Sequence, residues 1–253
     1  MRLQWMKRNS LAVLVIGLAA GLAQAGELTV SAAASLTNAF KEIAQDYEAQ
    51  HAGTKVLLNF GASGALLQQM AKGAPVDVFA TADQETMDEA GRQGLLAAGE
   101  RQDFVRNTLV VIVPVDSKLA LGGLSDLQQP DVARIAVANP ASVPVGRYAK
   151  GALDKAGLWS AIEAKAVGTQ NVRQSLDYVT RGEVDAGFVY ATDAAVMKEK
   201  VRVAFEVRVD TPILYPIART AGGANAEEAG SFVAHVLSPA GQAVLSKHGF
   251  QKP

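Results

Sequence analysis

Short apolar runs alternate with amphipathic segments along the chain, and this alternation restricts the possible folds more than any other feature. "ELTVSAA" (27–33) reads as a strand. After it, Phe40, Ile43, Ala44 and Tyr47 stand at i, i+3, i+4 and i+7, one face of a helix. "KVLLNF" (55–60) is a second buried strand, and "GALLQQMAKG" (64–73) a helix ended by Gly73. "VDVFAT" (76–81) is a third strand, with a helix near 84–93 behind it. A β-α-β-α-β order implies a parallel sheet with helices on its faces.

"TLVVIVPV" (108–115) is the most apolar strand, and the pattern restarts after it. "RIAVAN" (134–139), "AGFVYA" (186–191) and "VRVAFEV" (201–207) read as strands. A helix over 148–156 carries Ala149, Ala152, Leu153 and Ala156 on one face and stops at Gly157. Val172, Leu176 and Val179 mark a shorter helix ended by Gly182. In the tail, one helix shows Ala229, Phe232, Val233 and Val236, and the next has Ser238 as cap, Pro239 in its first turn and Gly249 as stop. Two α/β halves of similar size are the expected architecture. "RNTLVVIVP" (106–114) and "ILYPIAR" (213–219) are the expected crossing segments. Residues 26–107 with 218–253 form one lobe on this reading, and 108–217 the other. Ligands in such sheets bind outside the carboxyl ends of the strands.

Residues 1–25 stand apart from this pattern. Arg2, Lys7 and Arg8 precede the apolar run "LAVLVIGLAAGL" (11–22), and "AQA" (23–25) offers small residues for cleavage. That layout predicts a secretory signal peptide cut after Ala25. A run of 12 residues is shorter than the ~20 that span a bilayer. Removing the segment leaves 21 basic against 25 acidic residues, a net charge of −4. Mild acidity disfavours nucleic acid or an anionic membrane as partner. With no cysteine, disulfides, thiolate metal sites and thiol catalysis are excluded.

No catalytic constellation stands out. His51, His235 and His248 lie near the ends or outer faces of expected helices and read as solvated or capping residues. "GASGA" (61–65) fails the G-x-S-x-G serine-hydrolase pattern at Ala65. What recurs is a small or hydroxyl residue where a strand turns into a helix. Ser35 follows "ELTVSAAA", Ser63 follows "VLLNFGA", "VPVG" (143–146) precedes the 148–156 helix, and "QNV" (170–172) opens the next. Helix starts carry free N–H groups and partial positive charge, so several facing one cleft would make an anion site without Lys or Arg. Taken singly, Ser35 and Ser63 read as ordinary N-caps contributing ~1 kcal/mol each. Tyr190 by default is a half-buried core tyrosine whose hydroxyl must find a partner.

Six blocks carry a family resemblance: "AAASLTNAF", "GAPVDVFATAD" (73–83), "NPASVPVGRYAK" (139–150), "NVRQSL" (171–176), "GFVYATDA" (187–194) and "GQAVLSKHGF" (241–250). In content and order they resemble the periplasmic molybdate-binding proteins of ABC transporters, across essentially the whole chain after residue 25. The resemblance implies an α/β, two-lobed, type II solute-binding fold, each lobe a mostly parallel sheet flanked by helices, with the oxyanion in the interlobe cleft. It implies ligand contacts from Ser35 and Ser63, from the backbone N–H groups of Val145 and Val172, and from the Tyr190 hydroxyl. It further implies a monomeric carrier that is not an enzyme, needs no cofactor beyond its molybdate or tungstate cargo, and has no direct metal-cation ligands. Its partner would be a permease in the inner membrane.

The chemistry is consistent with that implication, because a tetrahedral dianion offers only acceptors and suits a site made of donors. Charge-assisted hydrogen bonds contribute ~1.5–3 kcal/mol each and can offset the cost of stripping water from the ion. Arg147 and Arg173 follow the two N–H positions and are expected to point away at helix surfaces. Gly64 and Ala62, flanking Ser63, are expected to loosen that loop. A different oxyanion such as sulfate, or a secreted serine hydrolase built on Ser35 or Ser63, are the alternatives.

Overall fold

The computed structural model describes residues 26–253, so the expected export segment lies outside the described residues. The chain begins with β1 (Glu27–Ala33), α1 (Thr37–Gln50), β2 (Lys55–Gly61), α2 (Ser63–Ala71), β3 (Val78–Ala80), α3 (Gln84–Arg92) and β4 (Gln102–Asn107). It then crosses to β5 (Leu109–Pro114), β6 (Ile135–Ala138), α4 (Pro144–Lys155), α5 (Trp159–Glu163), β7 (Ala166–Thr169) and α6 (Val172–Thr180). β8 (Ala186–Tyr190), α7 (Ala191–Val196) and β9 (Val201–Glu206) complete that half. The chain returns through β10 (Ile213–Arg219) to α8 (Ala226–Leu237) and α9 (Pro239–Lys247).

Two five-stranded sheets result, with orders β2-β1-β3-β10-β4 and β7-β6-β8-β5-β9. Within each, the strand-helix-strand units pair in parallel, β1 with β2 and β3, and β6 with β7 and β8. The strands that enter just after a crossing run the other way. β5 is antiparallel to β8 and β9, and β10 is antiparallel to β3 and β4. Leu109 to Val113 are all buried, as a central strand covered on both faces requires.

The outward crossing is at Thr108, between β4 and β5. The return differs from the expected boundary at 217/218, which falls inside β10. All of β10 pairs with β3 and β4 in the first sheet, so the return lies within 207–212. A continuous apolar run does not say which sheet it joins; pairing partners decide that. α8 and α9 pack back on the first lobe, where Phe232 meets Phe40 and Tyr47 edge-on at ring distances of 6.3 and 5.2 Å. The expected stops at Gly157 and Gly182 hold left-handed backbone, φ 70° and 67°, which glycine adopts without strain. α4 begins at Pro144 rather than near 148, because the proline supplies the first-turn dihedral and lacks the N–H that would be orphaned there.

Candidate functional site

The carboxyl ends of β1, β2 and β8 and the starts of α4 and α6 converge where the two lobes meet. They line one small cavity, far below the size typical of drug-like ligands. Ser35, Ser63, Val145, Val172 and Tyr190 all line it, joined mostly by alanine, glycine and proline. Each of the five is buried. Five residues spread from 35 to 190 are thus brought to one small space.

Neither serine is a helix cap. Ser35 sits inside a 3₁₀ turn over Ala34–Leu36, and α1 begins after Leu36 with no side-chain cap. Its Oγ lies 3.0 Å from the Tyr215 hydroxyl. Ser63 is the first residue of α2, again without a side-chain cap, and its Oγ accepts from Ala82 N–H at 3.1 Å. The cap reading fails because the tertiary fold supplies other partners for both hydroxyls. Each serine is held from behind by its oxygen, which leaves an O–H to donate into the cavity.

Backbone donors come from the second lobe. In α4 the N–H groups of Gly146 and Arg147 turn back to the Val143 carbonyl at 3.0 and 3.1 Å. Val145 precedes them, ahead of the first intrahelical bond. Val172 opens α6, whose N-cap Asn171 accepts from Gln174 N–H at 3.0 Å and so leaves Val172 N–H to other acceptors. Both helix starts face the cavity with their positive dipole ends.

Tyr190 departs from the expected half-buried core tyrosine. It is 1% exposed and its hydroxyl has no hydrogen-bond partner in the protein. Burial, and then the neighbouring Tyr215, push its hydroxyl well above the usual tyrosine range, so it stays a neutral donor. An unmet buried hydroxyl costs about 1–3 kcal/mol unless a ligand satisfies it.

Arg147 and Arg173 do not point away, contrary to expectation. Arg147 crosses to the first lobe, where Nε and Nη2 meet Asp83 Oδ2 at 2.9 and 2.5 Å and Nη2 meets Thr86 Oγ1 at 2.7 Å. Arg173 Nη1 donates to Asn38 Oδ1 at 2.9 Å and Nη2 to the Ser35 carbonyl at 3.3 Å. Its Nε stands 2.6 Å from Asp193 Oδ1 but off hydrogen-bond alignment, so that contact is electrostatic. Burial raises the Asp193 carboxyl to about 6, against the opposing pull of Arg173. Both arginines link the lobes, and neither lines the cavity, so their charges are spent on carboxylates outside it. Asp83 and Asn38 carry no sequence signal of this role, because their partners lie in the other lobe.

The histidines lie elsewhere. His51 stacks on Tyr47 at 3.8 Å, His235 packs edge-on to the same ring, and His248 meets Glu42 at 2.9 Å. Among the described residues no group of three or more His, Cys, Asp or Glu is placed to hold a metal cation.

Comparison with known proteins agrees with this geometry. A family profile described as bacterial extracellular solute-binding protein matches residues 28–251. The chain is 33% identical to the molybdate-binding protein ModA of Haemophilus influenzae over 249 residues, covering 97% of this chain and 98% of the relative. It is 35% identical to ModA of Escherichia coli K12, covering 90% of each. In three dimensions it is similar to the periplasmic molybdate-binding protein of Azotobacter vinelandii, with a TM-score of 0.79 at 24% identity over 89% of this chain and 99% of the other. The chain belongs to the bacterial extracellular solute-binding protein family.

Proposed function

We propose that this protein binds molybdate, and with it tungstate, between its lobes and delivers the ion to the permease of an ABC importer in the inner membrane. The observation that carries this reading is the Tyr190 hydroxyl, buried without a partner beside a cavity that also takes the Ser35 and Ser63 hydroxyls and two helix starts. Such a cavity offers donors from both lobes and no cationic side chain. A fully deprotonated tetrahedral ion meets those donors with acceptors alone, whereas a protonated oxyanion brings a hydrogen with nothing to receive it. The molybdate-binding relatives support the choice of ion.

Binding couples to closure, because donors from both lobes reach one ion only when the lobes meet. The ion is cargo, so the protein acts as a carrier without cofactor or catalysis, exported as a monomer. A serine hydrolase lacks support, since no histidine stands near Ser35 or Ser63. Thermal melting with molybdate, tungstate, sulfate and phosphate tests the reading. A ligand at 100 times its dissociation constant adds ~2.7 kcal/mol, so molybdate and tungstate are expected to raise Tm clearly. A rise with sulfate but not with molybdate or tungstate would replace this ion by sulfate.

A further inference from the structure

Behind Ser35 runs a short chain of polar groups that the binding reading does not use. Asn107 Oδ1 accepts from Thr108 N–H at 2.9 Å, which settles which end of the amide is which. Its Nδ2 then faces Thr192 Oγ1 at 2.8 Å and Tyr215 Oη at 3.2 Å. An amide nitrogen can only donate, so Tyr215 Oη accepts there and its own hydrogen must go elsewhere. Ser35 Oγ, 3.0 Å away, is the acceptor in reach. The opposite arrangement, with Ser35 donating, would strand the Tyr215 hydrogen in a fully buried position. Tyr215 is pinned by ring contacts, edge-on to Tyr190 at 5.8 Å and to Phe250 at 5.5 Å.

We infer that Tyr215 is a positioning residue which, by donating to Ser35 Oγ, commits the Ser35 hydroxyl to donate to the bound oxyanion. This rests on the oxyanion reading of the cavity and adds a source of selectivity to it. A free serine hydroxyl can turn and accept, so it would tolerate an oxyanion that carries a proton. With Tyr215 donating, the Ser35 hydrogen cannot be spent on Tyr215 and is left for the ligand, so an unprotonated oxygen is favoured over a protonated one at that position. Asn107 ends β4 at the outward crossing, and Tyr215 lies in β10 just past the return. The relay therefore ties Ser35 to both crossings.

The test is a double-mutant cycle of Tyr215→Phe and Ser35→Ala on the full exported chain. Affinity for molybdate is titrated calorimetrically, and that for hydrogen phosphate by competition. Tyr215→Phe keeps the ring packing and is expected to lose about three- to tenfold in molybdate affinity, the scale of the neutral hydrogen bond that holds the Ser35 hydroxyl in place. Adding it to Ser35→Ala should cost no more than about twofold further, because the two act through one contact. The molybdate-to-phosphate affinity ratio should fall in Tyr215→Phe, whereas a general loosening would weaken both ligands alike. Unchanged molybdate affinity in Tyr215→Phe, losses that multiply in the double variant, or an unchanged ratio would each overturn the assignment. A wild-type protein that binds sulfate but not molybdate overturns the ion proposed above, and the same cycle run with sulfate then decides the role of Tyr215.

Discussion

The Gly64 N–H donates to the Ser142 carbonyl at 3.0 Å, a backbone bond between α2 of one lobe and the segment before α4 of the other. A Cβ on Gly64 would lie 2.6 Å from that same oxygen. Gly64 follows Ser63, so the lobes touch beside a residue that lines the cavity. The expected loosening of the loop by glycine is replaced by a requirement for close approach.

Gly64→Ala is therefore expected to weaken molybdate binding by at least tenfold. Alanine favours a helix over glycine by ~1 kcal/mol, so the unliganded melting temperature should hold. Calorimetric titration beside a ligand-free melt checks this. Wild-type affinity would mean that the closed state does not need this contact.

Tyr190→Phe separates stability from binding. The hydroxyl has no protein partner, so its removal should leave the ligand-free protein as stable as before, or about 1 kcal/mol more stable. Molybdate affinity should fall at least tenfold. Chemical denaturation and titration of the same sample measure both. A large loss of stability would show that the hydroxyl is satisfied within the protein.

Ser35→Ala and Ser63→Ala are each expected to weaken binding at least tenfold and to lower stability by about 1–3 kcal/mol, because the Tyr215 hydroxyl and the Ala82 N–H each lose a buried acceptor. Titration with molybdate and circular dichroism check the two parts. Affinity unchanged in both variants would leave the serines without a role in the ligand.

Arg147→Met removes the contacts to Asp83 and Thr86 that link the lobes. Affinity should fall about tenfold or more, the scale of a hydrogen bond to a charged group. Small-angle scattering with saturating molybdate should show a less compact liganded form. A compact form with full affinity would make the pair ornamental to closure.

Asp193 gives a pH dependence of definite sign. Burial raises its folded carboxyl from 3.8 to about 6, so the native state binds the proton more tightly than the unfolded chain. Its contribution is present in full at low pH and is lost as pH rises through about 6. The stability of wild type minus that of Asp193→Asn should therefore decline from pH about 4 to about 6 and then level off. Melting both proteins across that range tests it, and a difference that rises with pH would reverse the assignment.

Much of the architecture was readable because it is local. The faces of α1, α6 and α8 follow from apolar residues spaced three and four apart, and the stops at Gly157 and Gly182 from a backbone that glycine adopts freely. The five cavity residues were readable for a related reason. A strand-to-helix junction leaves free N–H groups wherever it occurs, and the resemblance of the blocks marked which junctions to group.

The sequence alone determined most of the strand-helix order, though not β4, α5, β7 or α7, together with the two halves and the small-residue junctions, because these depend on neighbours within a turn or a strand. The tertiary structure decided the return crossing, the partners of both serines, the course of Arg147 and Arg173 to the other lobe, and the need for Gly64. Tyr215 lies 180 residues from Ser35, and Arg147 lies 64 from Asp83. No local pattern specifies a hydrogen bond over such a separation, since its geometry exists only after the sheets have paired and the lobes have met.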